Sequence, residues 1–230
     1  MIRPAARRGG SRLLFVLVGV AFLAAACDFH YRAAADEALD EVLVQAIPDA
    51  QLRFDHPARL SAQELTSILQ EVRVEFKSHW LQRLVTGKLE PVPLFEQAVL
   101  ARVVPPLVEA LEKAGTHDRI VFYVAERRAS DRRDVTSGTL FLKGRTLTIA
   151  LANHQNRVDV VPGLVAYDRQ NPEVAVAPQR FLLAFARTEF VVDRAPDLTD
   201  GVLEGASPRL LVDYGGFLAY KARSATGSGS

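Results

Sequence analysis

The residues with the most chemical potential in this chain lie in a polar run that follows an apolar, strand-like segment. Asn153, His154 and Asp159 fall within this run. Side chains at strand ends are often functional, so these three residues are the candidate polar site. The alternative is a solvated turn in which Asn and Asp side chains satisfy local backbone groups.

A Ser–His–Asp set can be written by adding Ser137 to His154 and Asp159. The chain contains no G-x-S-x-G motif, and a glycine placed like Gly138 is more typical of a strand bulge than of a nucleophile turn. Sets of this kind can be written for most chains of this length. We therefore assign no catalytic residue and expect the protein not to be an enzyme.

Metal and nucleotide sites have no sequence signal. No two of the five histidines lie within ten residues of each other, so neither H-x-H nor H-E-x-x-H occurs. There is no phosphate-binding P-loop and no G-x-G-x-x-G after a strand. We expect no metal and no cofactor.

A dense charge cluster covers residues 126–134, which read ERRASDRRD. Arginine forms bidentate contacts with carboxylates and phosphates, so a partner-docking loop is one interpretation. The other is an exposed loop between strands whose charges compensate one another. The docking candidates are Arg127, Arg128, Arg132 and Arg133.

The N-terminal segment has the order of an export signal. Residues 1–12 carry four arginines and no acid, and residues 13–26 are apolar apart from Gly19. A span across a bilayer needs about 20 apolar residues, so this stretch is too short. Basic, then apolar, then small residues are typical of a secretory signal peptide.

The end of this segment resembles the lipobox of bacterial lipoprotein precursors. Residues 23–27 read Leu-Ala-Ala-Ala-Cys, and Cys27 is the only cysteine in the chain. The resemblance implies cleavage between Ala26 and Cys27 and lipidation of the Cys27 sulfur. Two alternatives stay open: ordinary signal cleavage at the A-x-A pattern that ends at Ala26, and an uncleaved anchor.

Lipidation at Cys27 would anchor the chain to a membrane on the periplasmic side of the cell envelope. Residues 27–36 would form a short tether, and nine extended residues reach at most about 30 Å. Asp28, directly after the cysteine, favours the inner membrane over the outer. Removal of residues 1–26 leaves 24 basic and 27 acidic residues, which argues against a polybasic lipid-binding domain.

Helical spacing of apolar residues dominates the first half of the chain. We expect a first helix over residues 33–47 and a second that begins at Ser61, where Ser-Ala-Gln-Glu is a capping box. A third covers residues 94–114, with a kink or a break at Pro105-Pro106.

Strand-like patterns dominate the second half. Residues 119–125 form an apolar, β-branched run, and residues 136–142 and 145–152 flank a Lys-Gly turn as in a hairpin. Further strand candidates are residues 163–167 and 181–192, whereas residues 207–222 fit either helix or strand. Residues 72–77 alternate as a strand does, yet an apolar stripe at helical spacing continues to Gly87.

Composition limits the class of protein. The chain has 230 residues, 49% of them hydrophobic, which excludes general disorder. A net charge of +1 does not suggest a nucleic-acid-binding protein, and a single cysteine excludes an intramolecular disulfide. We expect an α+β fold with N-terminal helices packed on a mainly antiparallel sheet formed by the C-terminal half. The expected divisions are a signal peptide at 1–26, a tether at 27–36, one domain at 37–222 and a disordered tail at 223–230.

These features favour a lipid-anchored, non-catalytic protein of the bacterial cell envelope. Its role would be structural or accessory, with the membrane and another envelope protein as partners. One alternative is a binding module for a small apolar or lipid-like ligand. The other is an envelope hydrolase, which would need a cleft that brings His154, Asp159 and a hydroxyl together.

Overall fold

The computed structural model describes residues 40–76, 90–129, 131–160, 166–177, 179–192 and 208–227. Strands and helices alternate through these ranges. In chain order they are β1 Glu41–Pro48, α1 Ala62–Leu69, β2 Val72–Phe76, β3 Val92–Pro93, α2 Gln97–Lys113, β4 Asp118–Ala129, β5 Arg132–Lys143, β6 Thr146–Asp159, α3 Tyr167–Gln170, β7 Phe181–Phe185, a 3-10 turn Thr188–Phe190, β8 Arg209–Asp213 and α4 Tyr214–Gly227.

A five-stranded antiparallel sheet organises the fold, in the order β1-β4-β5-β6-β8. Its centre is the β4–β5–β6 meander. The apolar run predicted as a buried strand lies in β4, and the predicted hairpin is the β5–β6 pair. Gly144 occupies the turn at φ 63°, a left-handed conformation that glycine adopts without steric cost. Both strand predictions are confirmed.

One face of the large sheet carries the main core. Side chains alternate along the strands, so Ile120, Phe122 and Val124 of β4 point to this face. Helices α1 and α2 cover it, with Leu65, Ile68, Val103 and other apolar residues packed against the strands. A three-stranded sheet of order β3-β2-β7 completes the cover.

The capping box at the start of α1 is confirmed. The Ser61 hydroxyl accepts the backbone N–H of Glu64 at 3.2 Å, and the Glu64 carboxylate accepts the backbone N–H of Ser61 at 2.8 Å. Ser61→Ala should lower the free energy of unfolding by about 1 kcal/mol, because the end of the helix loses this cap. Chemical denaturation measures the effect, with the exposed Gln63→Ala as the control. Equal stability of the two variants would contradict the prediction.

Two irregularities in the β5–β6 pair decide where later side chains point. Gly138 pairs with Leu151 and Ser137 with Asn153, so Ala152 is an extra residue. At Gly138 a Cβ atom would lie only 2.1 Å from the carbonyl oxygen of Ala150, so glycine allows this close backbone approach. A second shift falls between Val135 and Ser137, opposite Gln155, whose φ is 46°. Such bulges reverse the inward and outward alternation of a strand.

The expected fold class is confirmed in its coarse form, since helices accompany a mainly antiparallel sheet. The first described element, however, is strand β1 and not the helix expected over residues 33–47. Its apolar residues fit either spacing, and pairing with β4 along all eight residues decides for strand. The sheet therefore includes a strand from the N-terminal half and is not built from the C-terminal half alone.

The structure also bears on two other helix predictions. Helix α2 runs through Pro105-Pro106 as one element, so a division into two helices is wrong, while the expected kink stays a prediction. Residues 207–222 contain both a strand and a helix, β8 and α4. The carboxylate of Asp213 accepts the backbone N–H of Gly216 at 3.0 Å at this junction, which stabilises the start of α4 despite its two glycines.

The remaining element predictions have mixed outcomes. Helix α4 continues to Gly227, so a disordered tail over residues 223–230 is wrong for its first part. The strand expected at 163–167 is not seen at Tyr167, where α3 begins, and the residues from 161 to 165 are outside the described ranges. The strand expected at 181–192 ends at Phe185. The strand at 72–76 is confirmed, while the helical stripe to Gly87 lies outside the described residues.

Candidate functional site

Part of the second face of the large sheet is covered by residues 166–177, which we call the strap, while Leu52 and Phe54 pack against Phe141 on another part of it. It contains the short helix α3 and an irregular segment after it. The apolar cluster beneath the strap is small and consists of Tyr123, Ala125 and Val135, with Leu43 and Val158 packed against it. Hydrogen bonds and an ion pair from buried polar side chains therefore hold the strap against the sheet.

One group of strap contacts comes from Ser137 and Asn153, both fully buried. The Ser137 hydroxyl donates to the carbonyl oxygen of Pro172 at 2.6 Å, and the Asn153 amide nitrogen donates to that hydroxyl and to the carbonyl of Val174, each at 2.9 Å. The Asn153 amide oxygen accepts the backbone N–H of Val176 at 2.9 Å. The Asn153 side chain thus makes the hydrogen bonds to the strap backbone that a neighbouring strand would otherwise make.

The second group is an ion pair in the interior. Arg133 is 0% exposed, and its Nη2 donates to both carboxylate oxygens of Asp168 at 3.0 Å. The Tyr123 hydroxyl donates to the same carboxylate at 2.7 Å. Burial, and next the hydrogen bond to Asp168, raise the pKa of the Tyr123 hydroxyl far above its usual range. Asp168 is therefore the point where strap, β4 and β5 are joined.

A third contact fixes the middle of the strap from the other end of β4. The Arg119 guanidinium donates two hydrogen bonds of 2.7 Å to the Glu173 carboxylate and one of 2.7 Å to Asp49. This bidentate geometry is the strong form of an arginine–carboxylate pair. Together with the two groups above, this contact attaches the strap to the rest of the fold through hydrogen bonds and ion pairs.

The predicted polar site is not one site. Asn153 and His154 are neighbours in β6, so their side chains point to opposite faces of the sheet. Asn153 faces the strap, whereas His154 faces the main core between the rings of Phe76 and Phe181. Asp159 is exposed at the end of β6. The open turn considered as an alternative is also wrong, because the run is part of a long strand.

His154 is fully buried and bonds only through its backbone. The ring centroids of Phe76 and Phe181 lie 5.8 and 6.2 Å away, and neither ring nitrogen has a hydrogen-bond partner among the residues that the structure describes. Burial alone lowers the pKa of the imidazole to about 4. The His154 ring lies on the opposite face of the sheet from the Ser137 hydroxyl, and Asp159 is exposed at the strand end, so the Ser–His–Asp set drawn from the sequence is not assembled.

The arginine cluster forms the ends of β4 and β5 and the turn between them. Arg128 donates to Asp134 at 2.6 Å, and Arg132 lies 3.6 Å from Asp131. Arg127, Arg128 and Arg132 are exposed, in agreement with a surface hairpin. Arg133 is buried against Asp168 and must be removed from the docking candidates.

Sequence reasoning missed Tyr123, Asp168 and the true role of Arg133. A signal for Arg133 was present, because it is two residues before Val135 and shares its side of an alternating strand. The surrounding charges concealed that pattern. For Asp168 there was no local signal, since its partners lie 35 and 45 residues away.

Cys27 and Ala26 lie outside the described residues. Among the described side chains, no group of three or more His, Cys, Asp or Glu could hold a metal ion. No helix in the described ranges has both the length and the apolar character needed to cross a bilayer.

Comparison of this chain with protein-family models, with curated proteins and with solved structures found no match.

Proposed function

We propose that this chain is a lipid-anchored protein of the bacterial cell envelope with a non-catalytic, structural or accessory role. The observation that carries the proposal is the position of its only cysteine. Cys27 follows a basic, an apolar and a small-residue region in that order, as lipidation requires. Two or three acyl chains at this residue would give stable attachment where a single chain would not.

The use of polar side chains in the fold supports the accessory role. Asn153 and Ser137 bind the strap backbone, and Arg133 binds Asp168. His154 is enclosed by aromatic rings with its pKa lowered, and within the described ranges its ring has no acid or hydroxyl partner. Of the residues that the sequence marked for chemistry, Ser137, Asn153 and His154 therefore serve the interior of the protein, whereas Asp159 is exposed.

The anchor also suggests how the domain is oriented. Twelve residues lie between Cys27 and Asp40, and the thirteen Cα–Cα steps across them reach at most about 45 Å. The first residue of β1, Glu41, pairs with Ala125 of β4, close to the arginine-rich hairpin. In our proposal this hairpin lies at the membrane-proximal end, and Arg127, Arg128 and Arg132 are the residues that dock an envelope partner.

Cys27→Ser should abolish acylation and release the protein from the membrane fraction. Intact mass spectrometry of the protein extracted from the source bacterium measures acyl mass, and cell fractionation measures location. Ser11→Ala, a change before the apolar region, is the matched control and should leave both unchanged. Wild-type protein without acyl mass on Cys27 would refute the lipoprotein assignment.

The accessory role is tested separately from the anchor. Crosslinking in living cells, followed by affinity purification and mass spectrometry, should recover one envelope protein with the wild type and lose it with Cys27→Ser. Replacing Arg127, Arg128 and Arg132 together by Ser should weaken that recovery without loss of acylation. Failure to recover any partner from acylated protein would refute the accessory role alone.

A further inference from the structure

The strap packs against the sheet with its apolar side chains outward. The structure describes all twelve of its residues, and among them only Asp168 and Pro172 are buried. Its large apolar residues, Tyr167, Val174 and Val176, are 64%, 45% and 40% exposed. Burial of apolar side chains is the main source of stability in a packed contact. The strap therefore lacks the interaction that holds helices α1 and α2 on the other face of the sheet.

Two carboxylates on the inner side of the strap bind arginines of the sheet. Asp168 accepts hydrogen bonds from Arg133 at 3.0 Å and from Tyr123 at 2.7 Å. Five residues further along the chain, Glu173 accepts two hydrogen bonds of 2.7 Å from Arg119. Charge-assisted contacts of this kind are how arginines recognise acidic segments of other proteins. The spacing of the two carboxylates fixes the position of the strap on the sheet.

Backbone groups of the strap are bound by side chains of the sheet. Ser137 donates to the Pro172 carbonyl at 2.6 Å, and Asn153 bonds the Val174 carbonyl and the Val176 N–H, both at 2.9 Å. Backbone carbonyl and N–H groups are common to all peptides. A segment of another protein would therefore meet the same partners if it carried two carboxylates at the matching spacing.

We propose that these contacts form a binding surface for an acidic segment of a partner protein, and that the strap occupies this surface while the partner is absent. The surface consists of the side chains that bind the strap, and we call it the strap surface: Arg119, Tyr123, Arg133, Ser137 and Asn153. The proposal rests on the accessory role proposed above. It adds the chemistry of the partner, which is an acidic peptide segment.

The exposed arginines of the β4–β5 hairpin adjoin the strap surface. Arg132 and Arg133 are consecutive in β5, and Arg127 of β4 pairs with Arg133. Arg127, Arg128 and Arg132 are exposed, whereas Arg133 is buried under Asp168. Exposed positive charges increase the rate at which an acidic segment reaches a surface. The segment first meets the exposed arginines and then replaces the Asp168 carboxylate at Arg133.

Release of the strap also breaks an ion pair outside the strap surface. Arg169 of α3 donates hydrogen bonds of 2.6 and 2.7 Å to Glu41 of β1, and these side chains are 42% and 19% exposed. Segments with few buried apolar contacts open locally before the rest of a fold unfolds. Because this ion pair involves no side chain of the strap surface, its removal makes the strap open more often and leaves the surface unchanged.

Thiol labelling tests whether the strap opens by itself. Ser137→Cys places a thiol beneath the strap, in a full chain that also carries Cys27→Ser. Val124→Cys is the matched control, because Val124 is 0% exposed and lies next to Tyr123 on the opposite face of the sheet. Without urea, the Ser137→Cys thiol should react at least about 100-fold faster than the control thiol. Equal rates would overturn the proposal, since the strap surface would then be reached only by global unfolding.

Binding of an added peptide tests the strap surface itself. The probe is a fluorescent peptide with the sequence of residues 166–177, and its anisotropy is measured with the purified full chain. Arg169→Gln/Glu173→Gln removes two contacts of the strap without changing the strap surface, so this variant should bind the peptide at least about tenfold more tightly than the wild type does. Gln170→Ala, at an exposed position of the strap, is the control and should bind as the wild type does. Circular dichroism checks that each variant is folded.

A second peptide tests whether recognition depends on the carboxylates. With alanine in place of both Asp168 and Glu173, the peptide should bind the Arg169→Gln/Glu173→Gln variant at least about tenfold more weakly. Equal binding of the two peptides, or no binding of the strap peptide to this variant, would overturn the proposal. These experiments need neither acylation nor cells. Their failure would therefore leave the Cys27 anchor and the recovery of an envelope partner unaffected, whereas failure of that recovery would refute the accessory role.

Discussion

Asp168→Ala is expected to lower the free energy of unfolding by about 3–5 kcal/mol. The substitution removes the Asp168 carboxylate from the buried Arg133 guanidinium, and the Tyr123 hydroxyl loses this acceptor. Arg133 is 0% exposed, so water cannot replace the lost partner without opening the structure. Removing one charge of a buried ion pair lowers the free energy of unfolding far more than replacing both charges by apolar side chains does.

Urea unfolding followed by circular dichroism measures this effect. Asp159→Ala removes an exposed carboxylate from the end of β6 and should change stability by less than about 0.5 kcal/mol. The double variant Arg133→Met/Asp168→Leu removes both charges and should be more stable than Asp168→Ala alone. If Asp168→Ala were as mild as Asp159→Ala, the strap would not depend on this ion pair.

His154→Leu is expected to be more stable than the wild type, by a margin that grows in acid. The difference in the free energy of unfolding between the two proteins should be about 3 kcal/mol larger at pH 4 than at neutral pH. Burial lowers the pKa of the folded imidazole from 6.5 to about 4. As the pH falls below 6.5, the unfolded chain binds a proton that the folded protein does not, so wild-type stability declines until the folded pKa is reached. Leucine has a similar volume and no such dependence.

At pH 7 the same variant should already be more stable by about 1–3 kcal/mol, because two unbonded ring nitrogens leave the interior. Urea unfolding of both proteins between pH 4 and pH 7 provides the comparison. Burial also lowers the pKa of His56, but both proteins contain His56 and its contribution cancels in the difference. A difference that stays constant with pH would show that His154 is not buried as a neutral ring.

Local signals predicted the parts of the fold that local interactions determine. The capping box at Ser61 requires only four consecutive residues, and the β5–β6 turn requires a glycine at one left-handed position. Strand β4 was predictable because a run of β-branched and aromatic residues has little alternative when both of its faces are buried.

Strand β1 shows why the same reasoning failed elsewhere. Val42, Leu43 and Ala46 fit a helical stripe, and Val42 and Val44 fit a strand. A segment this short has no decisive period, so pairing with β4 determines its structure.

The candidate site depended on the bulges. Simple alternation from Leu147 through Leu151 would place Asn153 on the main-core side and His154 on the other. The extra residue Ala152 reverses this order, so Asn153 reaches the strap and His154 enters the core. A bulge of one residue is set by the backbone of the neighbouring strand, and residue types along β6 alone do not reveal it.

The sequence by itself determined the features that one continuous segment carries: the order of basic, apolar and small residues before Cys27, the start of α1 and the turn at Gly144. Only the tertiary structure decided that Arg133 is internal and that the His154 ring is enclosed by aromatic rings with no hydrogen-bond partner among the described residues. The physical reason is separation along the chain. Burial and hydrogen bonding depend on residues such as Asp168 that reach these positions only when distant segments pack together.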